Sequence, residues 1–222
     1  MTRPLILVIG AGPGVSRSVA LRFARKGYDA ALVGVDAAQL AALTDELADV
    51  GARVNSLEID ITDTDRALPA LRELLEAVGP VDVLHFNPSA YTEQGPAELS
   101  AQQLLVDVAL GVGGLLTALQ AARPVMSPGA RITVTGSMAA DQPWHGAASL
   151  GVQKAGVRNL VQSIDAAMSA DGIRAVSVTV CGMLRPDGPF SPDRVAEAIW
   201  DAAHQTEERW RTEVRYQPAS DA

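Results

Sequence analysis

Leu5-Ile6-Leu7-Val8-Ile9-Gly10-Ala11-Gly12-Pro13-Gly14-Val15-Ser16 is the stretch whose reading decides the fold. Five apolar residues in a row read as a strand covered on both faces. Glycines follow at once, and a helical pattern takes over from about Arg17. A strand, a glycine turn and a helix start make an anion site, because glycines let backbone approach a phosphate and the helix N-terminus favours negative charge. The pattern GxGxxG would need glycine where Val15 stands. Gly10 and Gly14 instead fit the spacing TGxxxGxG, with Ile9 for the threonine and Ser16 for the last glycine. Gly10, Gly12, Pro13, Gly14 and Val15 are therefore candidates for holding a nucleotide, against the plainer reading of a tight turn with no ligand.

Outward from this stretch the same alternation repeats. Further β-rich runs occur at Ala30–Val35, Arg53–Glu58, Val81–Phe86, Arg131–Thr135 and Arg174–Val180, with helical spacing between them. Asp36 to Val50 is the clearest helix, with Leu40, Leu43 and Leu47 on one face and Gly51 just past its end. Ser100 and Gln103 read as a capping box that opens a long helix to Arg123. Strands alternating with helices give an α/β chain: one Rossmann-like, doubly wound parallel sheet of six or seven strands with helices on both faces. Residues 1–222 read as a single domain, with 205–222 as a C-terminal extension in which Thr212–Tyr216 can add a last strand before a frayed tail.

Composition sets the outer bounds. In 222 residues, 48% are hydrophobic and 20% charged, which supports a large core and excludes a disordered chain. A net charge of −8 argues against nucleic acid or an anionic membrane as partner. The single cysteine, Cys181, excludes an internal disulfide, and three histidines without ligand spacing leave no expected metal site. The apolar stretch Val108–Ala122 carries three glycines and is short for a membrane span, and the N-terminal apolar run is short for a signal peptide. A cytoplasmic protein acting on a small molecule is the expectation.

With its glycine loop the chain resembles the short-chain dehydrogenase/reductase family, and the resemblance extends over roughly residues 4 to 200. Several landmarks carry it. Asp60 and Ile61, at the end of the third strand, stand where the family holds the adenine ring. Phe86-Asn87-Pro88-Ser89 replaces the family's NNAG, keeping the second Asn. Ser137 follows the fifth strand, where the catalytic serine belongs, and Gly182-Met183 follows the sixth, beside the nicotinamide. The resemblance implies NAD or NADP as cofactor, bound by the glycine loop with Asp60, Ile61, Asn87, Pro88, Lys154, Gly182 and Met183. The corner that selects between the two cofactors reads Gly34-Val35-Asp36, neither acidic nor basic at the usual places. Asp36 reads as a ribose ligand or, more simply, as the N-cap of the following helix.

The family's catalytic set is Asn, Ser, Tyr and Lys, in which the phenol is the acid/base and the lysine lowers its pKa. Ser137 and Lys154 are present. Leu150 stands at the tyrosine position, four residues before the lysine, and the asparagine position reads as Ala109. Two roles are empty. His145 is the candidate replacement acid, with Tyr91 a second; His85, inside a strand, reads as a core residue. The function expected is a divergent NAD(P)-dependent oxidoreductase acting on a carbonyl or alcohol. The alternative is a non-redox enzyme (lyase, isomerase or cyclase) or a nucleotide-binding protein on the same scaffold. The resemblance also implies a homodimer or homotetramer, through helices at about Ser100–Arg123 and Ala147–Ala170. The short segment from Leu184 to Phe190 implies a pocket that is open or closed by a partner subunit.

Overall fold

A computed structural model describes residues 3–218. Seven strands form one parallel sheet: β1 Leu5–Ile9, β2 Asp29–Gly34, β3 Val54–Glu58, β4 Val83–Phe86, β5 Arg131–Ser137, β6 Arg174–Val180 and β7 Glu213–Tyr216. Their order is β3-β2-β1-β4-β5-β6-β7. The chain winds to one side of β1 through β2 and β3, then returns to its other side with β4. The reversal opens a crevice at the carboxyl ends of β1 and β4, where ligands of open α/β sheets bind.

Alternating strand residues feed two separate cores. Leu5, Leu7 and Ile9 face one layer with Leu84, Phe86 and Ile132. That layer packs on α3 (Thr64–Val78), α5 (Gly114–Ala122) and α6 (Ala148–Met168) through Leu71, Leu75, Leu115, Val157 and Val161. Ile6 and Val8 face the other layer, which packs on α1 (Val15–Ala24), α2 (Ala37–Asp49) and α7 (Pro192–Ala203). The period-two burial of a strand thus supplies apolar surface to both helix layers, as a doubly wound sheet requires.

Several expectations are refined. β3 is an edge strand with Asn55, Ser56 and Glu58 exposed, so it is not a strand covered on both faces. Helix α1 starts at Val15, directly after Gly14. The long helix is in three parts: α4 (Ala101–Val108), a π turn (Ala109–Gly113) and α5. Because the π turn and a short 3₁₀ turn continue the helical run to Val125, the span Ala101–Val125 does reach a membrane-crossing length, with a mean hydropathy of 1.8 over an 18-residue window. Its Leu115, Ala118, Leu119 and Ala122 are buried in the sheet layer. Pro69 lies inside α3 without ending it. The expected last strand forms as β7, parallel to β6; the end of the tail, residues 219–222, lies outside the described residues.

Candidate active site

The nucleotide half of the crevice is built from the ends of β1, β2 and β4. Gly10 closes β1 with φ +77°, and a Cβ there would lie 2.8 Å from Pro88 Cγ, so the β1 and β4 loops touch through a residue that must be glycine. Gly14, φ +86°, precedes α1, whose first turn has no side-chain cap and keeps its N–H groups for an anion. Ser16 Oγ donates to the Gly12 carbonyl at 3.0 Å and ties the loop to the helix. A cavity of ≈290 Å³ lies against this loop, lined among others by Gly10, Gly12, Pro13, Gly34, Val35, Gln39, Asp60, Ile61, Asn87, Pro88 and Leu110.

At the β2 corner the position that can carry an acid in the family is sterically closed. A Cβ on Gly34 would sit 2.6 Å from the Ala11 carbonyl oxygen. Val35 is exposed at the cavity mouth. Asp36 is the N-cap of α2, its Oδ1 accepting from Gln39 N at 2.9 Å. Asp60 Oδ1 accepts from the backbone N and the hydroxyl of Thr62, at 2.9 and 2.7 Å, which holds the carboxylate at the cavity edge. Among the described residues it is the one charged residue lining the cavity. Beside it a shallower depression joins Val35, Glu58 and Asp60 to Arg66, whose guanidinium pairs with Asp63 at 3.7 Å.

The catalytic half lies at the ends of β5 and β6 and the start of α6. Ser137 ends β5 and its Oγ accepts from Ala139 N at 3.2 Å. Lys154 is buried, and its Nζ donates to the Thr135 carbonyl at 2.8 Å. Burial with no carboxylate partner pushes its pKa down to about 8. Thr135 Oγ1 donates in turn to Asn87 Oδ1 at 2.8 Å, joining the two halves across β4 and β5. One pair deeper, His85 Nδ1 meets Thr133 Oγ1 at 2.9 Å, while its Nε2 is buried without a partner. Burial, and then the Lys154 charge, push the His85 pKa down to about 3. The lysine carries no matching effect from His85, because the imidazole is already neutral where the ammonium titrates.

The cavity brings together Gly10, Gly12, Pro13, Asp60, Ile61, Asn87 and Pro88 of the expected cofactor set. Gly14, Val15, Asp36, Ser137, Lys154, Gly182 and Met183 lie outside its lining. Gly182 is covered by Phe190, whose ring stands 2.4 Å from where a Cβ on Gly182 would be, while Met183 is exposed. Leu150 is half-buried on α6, one turn before Lys154. His145 is exposed on the loop after β5, its ring centroid 6.3 Å from that of Trp144. Tyr91, also exposed, stacks on Trp144 with centroids 6.2 Å apart. His85 is a core residue, as its place in a strand suggests.

Ala109, read at the family's asparagine position, opens the π turn and is exposed. Gly111 in the same turn is buried against Gln153 of α6. Gln39, Ser89, Leu110, Asp107 and Gln153 were not legible as site residues. Gln153, directly before Lys154, offered a signal as a long polar side chain within a segment anchored to the catalytic lysine.

Comparison with known proteins supports this placement. The family model described as short chain dehydrogenase matches residues 4–188. Sulfoacetaldehyde reductase 2 of Chromohalobacter salexigens is 28% identical over 180 residues, covering 78% of this chain and 70% of that protein. Serine 3-dehydrogenase of Agrobacterium fabrum is 29% identical over 177 residues, with 78% and 69% covered. Among solved structures, a dehydrogenase/reductase from Sinorhizobium meliloti superposes with a TM-score of 0.88 at 22% identity, over 100% of this chain and 96% of that one. A metagenomic short-chain oxidoreductase in complex with NADP gives 0.85 at 21% identity, over 96% and 97%. With the family model matched over most of its length, the chain belongs to the short-chain dehydrogenase family.

Proposed function

We propose that this chain is an NAD(H)-dependent oxidoreductase that acts on a small carbonyl or alcohol, with Lys154 in the acid role that Leu150 cannot fill. The observation that carries the reading is the ≈290 Å³ cavity at the switch point, walled by the glycine loop, Asp60, Ile61 and Asn87. Its chemistry suits the adenosine end of a dinucleotide. Preference for NAD follows from charge. Among the described residues no cation lines the cavity, and Glu58 and Asp60 stand at its outer edge, where Arg66 lies exposed beside Asp63. A 2′-phosphate would add negative charge beside these carboxylates.

Bound nicotinamide supplies the hydride. The chain's own part is to hold the substrate oxygen near Ser137 and to give a proton from Lys154 Nζ, which is recovered from solvent. An ammonium with a pKa of about 8 is charged and still able to release its proton near neutrality. His145, on the exposed rim, has the lesser claim; a His145→Ala variant with unchanged turnover removes it from the mechanism. A non-redox role on the same scaffold is favoured by one observation: the half-buried leucine in place of the phenol.

We further read residues 1–222 as one domain of a cytoplasmic protein that assembles as a homodimer or homotetramer. Leu105, Val106 and Leu116 on the α4–α5 run and Val152 on α6 leave an apolar face exposed, which supports assembly through those helices. Light scattering on the purified protein tests it.

Titration with NADH and NADPH tests the main reading. NADH is expected to bind below about 100 μM, roughly −5.5 kcal/mol, and NADPH at least about tenfold more weakly. Equal binding of both overturns the preference. Binding of neither overturns the nucleotide reading.

A further inference from the structure

The start of α6 faces both the π turn and the loop that leaves β4. At this junction Gln153 is fully buried. Its carboxamide spends every donor it has: Nε2 donates to the Ala90 and Ser149 carbonyls, each at 3.2 Å, while Oε1 accepts from Ala90 N at 2.9 Å. The amide therefore grips one residue of the loop at both its N–H and its C=O. The space it needs comes from Gly111, where a Cβ would sit 2.3 Å from Gln153 Oε1. Any other residue at 111 displaces the amide.

A second buried group holds the α6 side of this grip. Asp107 is 2% exposed, and takes hydrogen bonds from Ser149 Oγ and from Gln103 Nε2. Burial alone would raise its pKa, but its hydrogen bonds, that from Ser149 foremost, outweigh it and hold the carboxyl below its usual range. Ala90 is thus tied to Gln153, and Gln153 to Ser149, which Asp107 fixes on α6. After Ala90, Tyr91 points outward onto Trp144. Before it Asn87, Pro88 and Ser89 wall the nucleotide cavity. One short loop serves two faces, and its middle is clamped.

We propose that Gln153 is a positioning residue that latches the 87–92 loop to α6 through Ala90, with Asp107 fixing Ser149 beneath it, holding Pro88 and Ser89 against the nucleotide and Tyr91 against Trp144, with Gly111 as the clearance the latch requires. The effect on ligand affinity rests on the nucleotide reading of the cavity; the latch itself does not. A loop held before the ligand arrives spares the ordering cost on binding. Gln153 makes no contact with substrate in this arrangement and acts only through the loop.

Gln153→Leu removes the grip while keeping the volume nearly constant. Hydrogen exchange is expected to rise at least about tenfold at residues 88–92 and to stay unchanged in the β1 and β5 strands. The NADH dissociation constant is expected to rise at least about tenfold, by preorganisation lost. A merely structural residue would raise exchange across the sheet instead. Gln153→Glu keeps the shape but points a carboxylate at two carbonyls. Relative to wild type at each pH, its affinity should be near normal when the acid is protonated and should fall as pH rises. Gly111→Ala should reproduce the Gln153→Leu exchange pattern. Adding Gln153→Ser should recover thermal stability by removing the clash, without recovering the latch. If Gln153→Leu folds, keeps wild-type exchange at 88–92 and binds NADH within about twofold of wild type, the proposal fails. If wild type binds no NADH, the nucleotide reading fails, and the exchange experiment still decides the latch.

Discussion

The two halves of the crevice differ in what they are made of. The nucleotide half is mainly backbone: glycines at 10 and 14, uncapped N–H groups at the start of α1, and a wall of Pro88 and Ser89. The catalytic half depends on single functional groups: Ser137 and Lys154, with Leu150 one turn before the lysine and Phe190 lying across Gly182. The contrast shows how binding and chemistry come apart on one sheet. A cradle of main-chain groups survives most changes of side chain, whereas a proton donor vanishes with one.

His85, in the floor beneath both halves, gives the largest expected effect. Its folded pKa of about 3 lies below the ordinary 6.5, so the neutral ring stabilises the fold above pH 6.5 and this contribution is lost as pH falls toward 3. The full loss is about 5 kcal/mol by linkage. Urea unfolding of His85→Leu between pH 7 and 4 should show a flatter acid side than wild type. Parallel curves would mean that the ring finds water or a proton path through the floor.

Leu150→Tyr attacks the contrast directly by restoring a phenol one turn before Lys154. Reduction of a panel of carbonyls with NADH should rise by roughly 10²–10⁴, the usual worth of a positioned acid. If it does not rise, the catalytic half is committed to other chemistry and the non-redox reading gains.

In the nucleotide half, Gly34→Asp sharpens the same point. An ordinary acidic corner for NAD cannot form here, because the new Cβ meets the Ala11 carbonyl at 2.6 Å. The variant should lose ~1–3 kcal/mol of stability and bind NADH more weakly, measured by denaturation and titration. Tighter NADH binding would show that the loop can yield.

The smallest effect is expected at Asp36→Ala. Loss of the N-cap should cost ~1 kcal/mol while NADH affinity stays within about twofold. A larger drop in affinity would make Asp36 a ribose ligand as well as a cap.

Much of the fold was readable in the chain. Strands at Leu5–Ile9 and Arg174–Val180, the N-cap at Asp36 and the glycine loop follow from local rules of apolar runs, capping and turns. That Ser137 ends a strand and Lys154 lies on the next long helix follows from the same alternation. What escaped depends on partners far along the chain. The π turn at Ala109–Gly113 and the burial of Gly111 against Gln153 leave no mark in the local pattern. Gln153 looks like an ordinary polar helix position until Ala90, 63 residues away, is brought against it.

Local chemistry therefore settled the α/β alternation, the phosphate-type loop and the absence of a phenol before lysine, since each depends on neighbours within a few residues. The packing of β1, β2 and β4 settled that Gly34 has no room for an acid, that Asp60 stands at the cavity edge, and that α6 clamps the loop after β4. Steric clearance and desolvation belong to pairs of surfaces, and those surfaces exist only once distant segments have met.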